Sequence, residues 1–287
     1  MISRPRQGCL LVIVEALLAC LMFGTSATAQ APSKPQQVVS LNLCTDQLLL
    51  ALADRTQIAS LSRLARDTSV SFMAEQAADL PLNDGRAEGV LFSRPDLILT
   101  GTYGRQEQVA LLKRQGLDVR QLGPWSGLTE GRAQIRDLAA KLGHPERGEA
   151  LIGRIDAALE EARGVVPAKR SILVYERGGW VAASRSLLSE VLMHMGFTLH
   201  QQALGLRGGG VARLEAIVTS PPDVMLVDAG SQKVVDNGTA LLVHPALGAA
   251  VPAERRLAVP GRLTICGGPS TPAMIEALST EAKAKLR

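Results

Sequence analysis

From residue 38 onward, short apolar runs alternate with longer stretches whose apolar residues recur every three to four positions. The runs Val38 to Leu41, Ile58 to Leu61, Leu97 to Leu99, Val119 to Leu122, Ile172 to Tyr175, Val224 to Val227 and Leu263 to Ile265 predict strands. Asp46 to Ala53 and Gln106 to Gln115 carry helical spacing, and Gly116 stands where a helix C-cap glycine is favoured. Alternation of this kind predicts α/β layers with largely parallel sheets.

The pattern occurs twice. Glu88 to Thr100 (EGVLFSRPDLILT) and Glu215 to Val227 (EAIVTSPPDVMLV) share five of thirteen positions at an offset of 127 residues, where ordinary composition gives about one. Each copy opens a helical turn with glutamate, breaks it at Ser-x-Pro-Asp and enters a buried strand. Between the halves, Thr129 to Leu142 predicts one helix ended by Gly143. Pro145 suits the first position of a second helix that runs to about Arg163 and spans roughly 28 Å. The expected fold is therefore α/β, with two lobes (30–143 and 169–287), a single long bridging helix (within 144–168) and a ligand cleft of limited closure between them.

The N-terminus has a different character. Arg4 and Arg6 precede an apolar stretch from Cys9 to Phe23 interrupted by Glu15, and Ala27-Thr28-Ala29 has the small-x-small form of a signal-peptidase site. Residues 1–29 are thus predicted to be a cleaved export signal, giving a periplasmic mature chain. An uncleaved anchor and lipidation at Cys20 are the alternatives. Composition adds that the 287-residue chain is 46% hydrophobic and 3% aromatic with a net charge of +4. This excludes a disordered or disulfide-stapled miniature protein, and the absence of Lys/Arg blocks gives no footing for nucleic acid.

Export leaves Cys44 and Cys266 as the mature cysteines, a pair expected either as a disulfide or as two thiols at one cleft edge. No catalytic constellation emerges. Gly123 to Gly127 lacks nucleophile-elbow spacing, Gly208-Gly209-Gly210 lacks a following Lys-Ser/Thr, and the four histidines show no metal-binding spacing. Neither a catalytic residue, a metal site nor a resident cofactor is assigned. An exported enzyme using Cys44 as nucleophile is a distant alternative, and a metal or redox module on the cysteine pair is another.

Polar and aromatic residues instead gather just beyond strand C-termini, where open α/β sheets bind ligands. Cys44 and Thr45 follow the first strand, Arg63 and Arg66 the second, Tyr103 and Arg105 the third, and Trp125 the fourth. In the second half Arg177, Trp180, Asp228 and Cys266 hold corresponding places. Aromatic faces and guanidinium groups on such loops suit a large, partly flat, partly anionic ligand.

The stretches VVSLNLCTDQLLLALA, EGVLFSRPDLILTG, LLSEVLMHMGF, ARLEAIVTSPPDVMLV and HPALGAAVPAERRLAVP, in their order and spacing, resemble the periplasmic substrate-binding proteins of ABC importers that carry ferric siderophores, haem and cobalamin. The resemblance implies two lobes on one long helix, no chemistry on the ligand, and delivery to a membrane permease dimer. It implies that one glutamate per lobe docks against permease arginines, at the positions of Glu88 and Glu215, and that Tyr103 is the best-placed residue to meet an iron centre. The cargo expected is a ferric chelate (siderophore or haem) or a corrinoid, a cobalamin-specific carrier being the alternative. The protein is expected to be a monomer whose ligand quenches Trp125 and Trp180.

Overall fold

Six of the seven predicted runs lie in two parallel sheets, which also take in strands at 82–83, 197–199 and 256–259. The computed structural model describes residues 34–286 except 104–105 and 233–235. The expected signal segment with Cys20, and Arg105, lie outside the described residues.

The N-lobe comprises β1 (Val38–Ser40), α1 (Leu43–Leu52), β2 (Ile58–Ser62), β3 (Leu82–Asn83), α2 (Ala87–Phe92), β4 (Leu97–Gly101), α3 (Gln106–Arg114) and β5 (Val119–Leu122). Its sheet has the order β3-β2-β1-β4-β5, all parallel. Two helices follow, α4 (Leu128–Leu142) and α5 (Pro145–Ala162), hinged at Gly143 in the left-handed conformation, with Pro145 opening the 18-residue α5. The C-lobe contains β6 (Arg170–Val174), β7 (Trp180–Val181), α6 (Leu187–Met195), β8 (Phe197–Leu199), β9 (Gly210–Val211), α7 (Leu214–Thr219), β10 (Val224–Asp228), α8 (Pro245–Ala250), β11 (Arg256–Val259), α9 (Gly261–Thr264) and α10 (Thr271–Lys285). Its parallel sheet runs β11-β10-β6-β8, and β7 pairs with β9 in a separate antiparallel ribbon.

Strand periodicity explains why the apolar runs are continuous. Val38, Leu97, Leu99, Ile172, Val174 and Leu226 face one core that also takes in α4, α5, α6 and α10. Their neighbours turn the other way: Val39 and Ile98 pack under α2 and α3, and Leu173, Met225 and Val227 pack under α7 and α8. A strand covered on both faces has no solvent side to alternate toward.

The repeat is structural as well as sequential. Each copy is a short helix leading into a central strand, α2 into β4 and α7 into β10. The Pro-Asp carboxylates do equivalent work: Asp96 accepts from the Gln36 and Gln37 amides at 2.6 and 3.0 Å, and Asp223 from the Ser171 amide and hydroxyl at 2.7 and 2.9 Å. Each thereby ties the loop before its strand to the start of the neighbouring first strand, satisfying amides that the ladder leaves open.

One predicted strand is corrected. Leu263 to Ile265 is not extended, because α9 occupies Gly261–Thr264. Pro260 has no amide to give a ladder, and the Gly261 amide donates to Asp228 Oδ1 at 2.8 Å, which starts a helical turn. The last strand of the sheet is instead β11, before that turn.

Candidate functional site

In an open parallel sheet, a crevice forms where the strand order reverses direction. In the N-lobe that point lies between β1 and β4, and in the C-lobe between β6 and β10. The segments leaving these four strands converge on one cleft. Its centre, about 350 Å³, is walled by Asn42, Cys44, Tyr103 and Trp125 from the N-lobe side and by Glu176, Leu188, Ile265 and Cys266 from the C-lobe side. It continues into an N-lobe pocket of about 350 Å³ reached past Asn42 and Tyr103, and into a C-lobe pocket of about 450 Å³ reached past Glu176 and Ile265.

The floor is covalently joined. Asn42 caps α1 by accepting from the Cys44 amide at 2.9 Å, which sets Cys44 at the helix start, facing the C-lobe. Cys44 and Cys266 form a disulfide with their Cα atoms 5.2 Å apart, so the bridged alternative holds. Beside it the Trp125 ring is wedged between Gly131 and Gly267; a Cβ at Gly267 would lie 2.6 Å from that ring. Further links between the lobes come from the Leu128 amide, which donates to Glu190 Oε2 at 2.7 Å, and from the Leu187 amide to the Trp125 carbonyl at 3.2 Å.

Several predicted ligand residues have other duties. Thr45 contributes to the wall, but its hydroxyl is buried and bonded to Ser40 Oγ and the Asn42 carbonyl at 2.8 and 2.9 Å. Arg66 donates to the Ala77 and Leu80 carbonyls. It therefore pins the segment between β2 and β3, and it is not among the residues lining these three pockets. Asp228 lines the C-lobe pocket while accepting from the Gly230 and Gly261 amides and the Ser231 hydroxyl. Arg177 reaches the same pocket but pairs with Asp236 at 2.9 Å. Trp180 is half-exposed on the β7–β9 ribbon, opposite Val211, and is not among the cleft-lining residues, because pairing in the ribbon turns it away. Of the two tryptophans expected to line the cleft, Trp125 does, showing part of a mostly buried ring, and Trp180 does not.

Tyr103 and Arg63 are better placed. Tyr103, 78% exposed, stands where the central and N-lobe pockets meet. Arg63 lines the N-lobe pocket near Asp84 and has no hydrogen bond or ion pair among the described residues. Glu176, which the emphasis on arginines passed over, lines both the central and C-lobe pockets. Its position directly after an apolar strand in a switch-point loop was the available signal. Although the residue is exposed overall, partial burial of its carboxyl raises it above the usual range, and the Asp228 charge adds to this.

Glu88 and Glu215 lie outside the cleft lining. Each is exposed in the first turn of its repeat helix, α2 or α7.

Solved structures share this architecture. The periplasmic heme-binding protein RhuT from Roseiflexus sp. RS-1 in apo form is 20% identical, with a TM-score of 0.67 over 88% of this chain and 99% of its own. The periplasmic heme-binding protein BhuT, in complex with two hemes, is 21% identical, with a TM-score of 0.70 over 89% and 100%. A periplasmic heme-binding protein from Pseudomonas aeruginosa is 21% identical, with a TM-score of 0.69 over 88% and 94%. Among curated proteins none matches. The family model described as periplasmic binding protein matches residues 38–252, from the first strand to beyond α8. The chain therefore belongs to the periplasmic binding protein family.

Proposed function

We propose that the protein is an exported, non-enzymatic carrier that captures an iron chelate, of the haem or siderophore class, between its lobes and hands it to an ABC-transporter permease. The observation that carries this reading is the open cleft at the two switch points, with the exposed Tyr103 phenol over an apolar floor. The fold likeness to proteins described as heme-binding supports the choice of iron cargo. Titration of the mature protein with haem and with a ferric trihydroxamate is expected to give saturable quenching of tryptophan emission. The quenching should persist in Trp180→Phe, since Trp125 remains at the cleft floor. Failure of both chelates to bind would remove the iron-carrier reading.

Glu88 and Glu215 are assigned to permease docking. They occupy equivalent first-turn positions on two lobes, so two carboxylates can engage two permease halves at once, and double engagement multiplies affinity without a new type of contact. Glu88→Ala and Glu215→Ala are each expected to lower stimulation of the reconstituted permease by about tenfold, the value of one partly desolvated charge pair, with the double change lower still. Chelate affinity should stay within about twofold of the parent, because neither residue lines the cleft. Normal stimulation by the double variant at limiting carrier would rule the docking role out.

A further inference from the structure

The two ends of the cleft differ in charge. The N-lobe pocket is lined by one guanidinium, Arg63, one carboxylate, Asp84, and the Tyr103 phenol. At the C-lobe end stand two carboxylates, Glu176 after β6 and Asp228 after β10, flanking the switch point of that sheet. Arg177, the guanidinium lining this end among the described residues, is held by Asp236 at 2.9 Å, and its head group lies against Gly238. Asp228 is held in place by two amides and one hydroxyl. Glu176 differs from both: its side chain has no hydrogen-bond or ion-pair partner among the described residues, and it stands at the junction of the central and C-lobe pockets.

We infer that Glu176 is a specificity-determining residue of the cleft, selecting iron chelates that carry a cationic arm. This rests on the carrier reading above. An ammonium entering the C-lobe pocket would give the Glu176 carboxylate a charge-assisted partner that no described side chain supplies. An anionic arm in that pocket would meet two carboxylates, a like-charge juxtaposition that discriminates strongly, and the lining guanidinium there, Arg177, is already paired with Asp236. The ligand that fits is therefore dipolar, with acceptor or anionic groups toward Arg63 and Tyr103 and a cationic group toward Glu176. Haem, whose ionised periphery is carboxylate only, satisfies the N-lobe end and leaves Glu176 unpaired.

The test compares three probes: a linear ferric trihydroxamate bearing a terminal ammonium, the same chelate N-acetylated, and haem. The parent protein is expected to bind the ammonium form at least about tenfold more tightly than the acetylated form, consistent with one charge-assisted hydrogen bond. Glu176→Gln should reduce that preference to within about threefold while leaving the acetylated chelate's affinity unchanged. Equal affinity of the parent for the two hydroxamates, an undiminished preference in Glu176→Gln, or binding of haem alone would overturn the selectivity inference and leave the carrier reading standing. Failure of all three probes to bind would overturn both.

Discussion

Reduction of the Cys44–Cys266 bond is expected to lower the unfolding free energy by about 3–5 kcal/mol. The two cysteines are 222 residues apart in sequence, so the bond closes a loop containing nearly the whole described chain. On the loop-entropy account a closure of this length contributes about 5 kcal/mol, and measured values for native disulfides fall mostly at or below that figure. The bond also joins the start of α1 in one lobe to the segment after α9 in the other, so its loss releases the cleft floor. What then holds the lobes is the Trp125 wedge, the Glu190 contact to the α4 start and the shared core. These suffice to keep a reduced native state, with weaker resistance to lobe opening. Urea unfolding of the parent with and without dithiothreitol, and of Cys44→Ser with Cys266→Ser, should show the loss as a lowered midpoint. The reduced parent and the double variant should agree. Coincident midpoints for oxidised and reduced parent would mean that the bond is not formed in solution.

Chain patterning carried the architecture well for specific reasons. Strands covered on both faces leave long-lived apolar signatures, and Val38-Val39 or Leu97-Ile98-Leu99 supply one side chain to each core in turn. The internal repeat marked the central strands because Asp96 and Asp223 must both anchor a neighbouring segment. Gly143 and Pro145 marked the hinge because each matches a backbone geometry that few residues adopt cheaply.

The site was less legible, since a loop residue's duty depends on what lies across from it. Arg63 and Arg66 look alike in sequence, yet one faces the N-lobe pocket and the other holds the Ala77 and Leu80 carbonyls. Arg177 stands in a post-strand loop where an anionic ligand could sit, yet Asp236, 59 residues later, pairs with it. Trp180 follows a strand as Trp125 does, but a two-residue ribbon with Val211 turns it away from the cleft. Leu263 to Ile265 has strand composition, and its helical turn is imposed by Pro260 and the long-range acceptor Asp228. In each case the deciding partner is distant in sequence, where periodicity and spacing carry no information.

The second large effect concerns Asp46, two residues beyond Cys44 on the helix that forms the cleft floor. It is fully buried, and its carboxylate accepts from the Ser62 amide and hydroxyl at 3.0 and 2.5 Å. Desolvation outweighs these bonds and the contribution of Ser40, raising the carboxyl from 3.8 to about 6. Because the folded chain holds the proton more tightly than the unfolded one, this group's stabilising contribution is complete below pH 3.8. It declines as pH rises toward 6 and is gone above that. At about 1.4 kcal/mol per unit, the difference across the window is about 3 kcal/mol. Asp46→Asn keeps an acceptor for the Ser62 amide and cannot ionise. It is therefore expected to be close to the parent in stability at pH 4 and more stable than it at pH 7.5, by up to about 3 kcal/mol less whatever the altered Ser62 hydroxyl contact costs. Denaturant unfolding of both proteins across pH 4 to 7.5 measures the difference directly. A gap between them that does not change with pH would show that Asp46 keeps a single protonation state throughout, and the hydrogen bonds from Ser62 would then have to be strong enough to hold an ionised carboxylate inside the core.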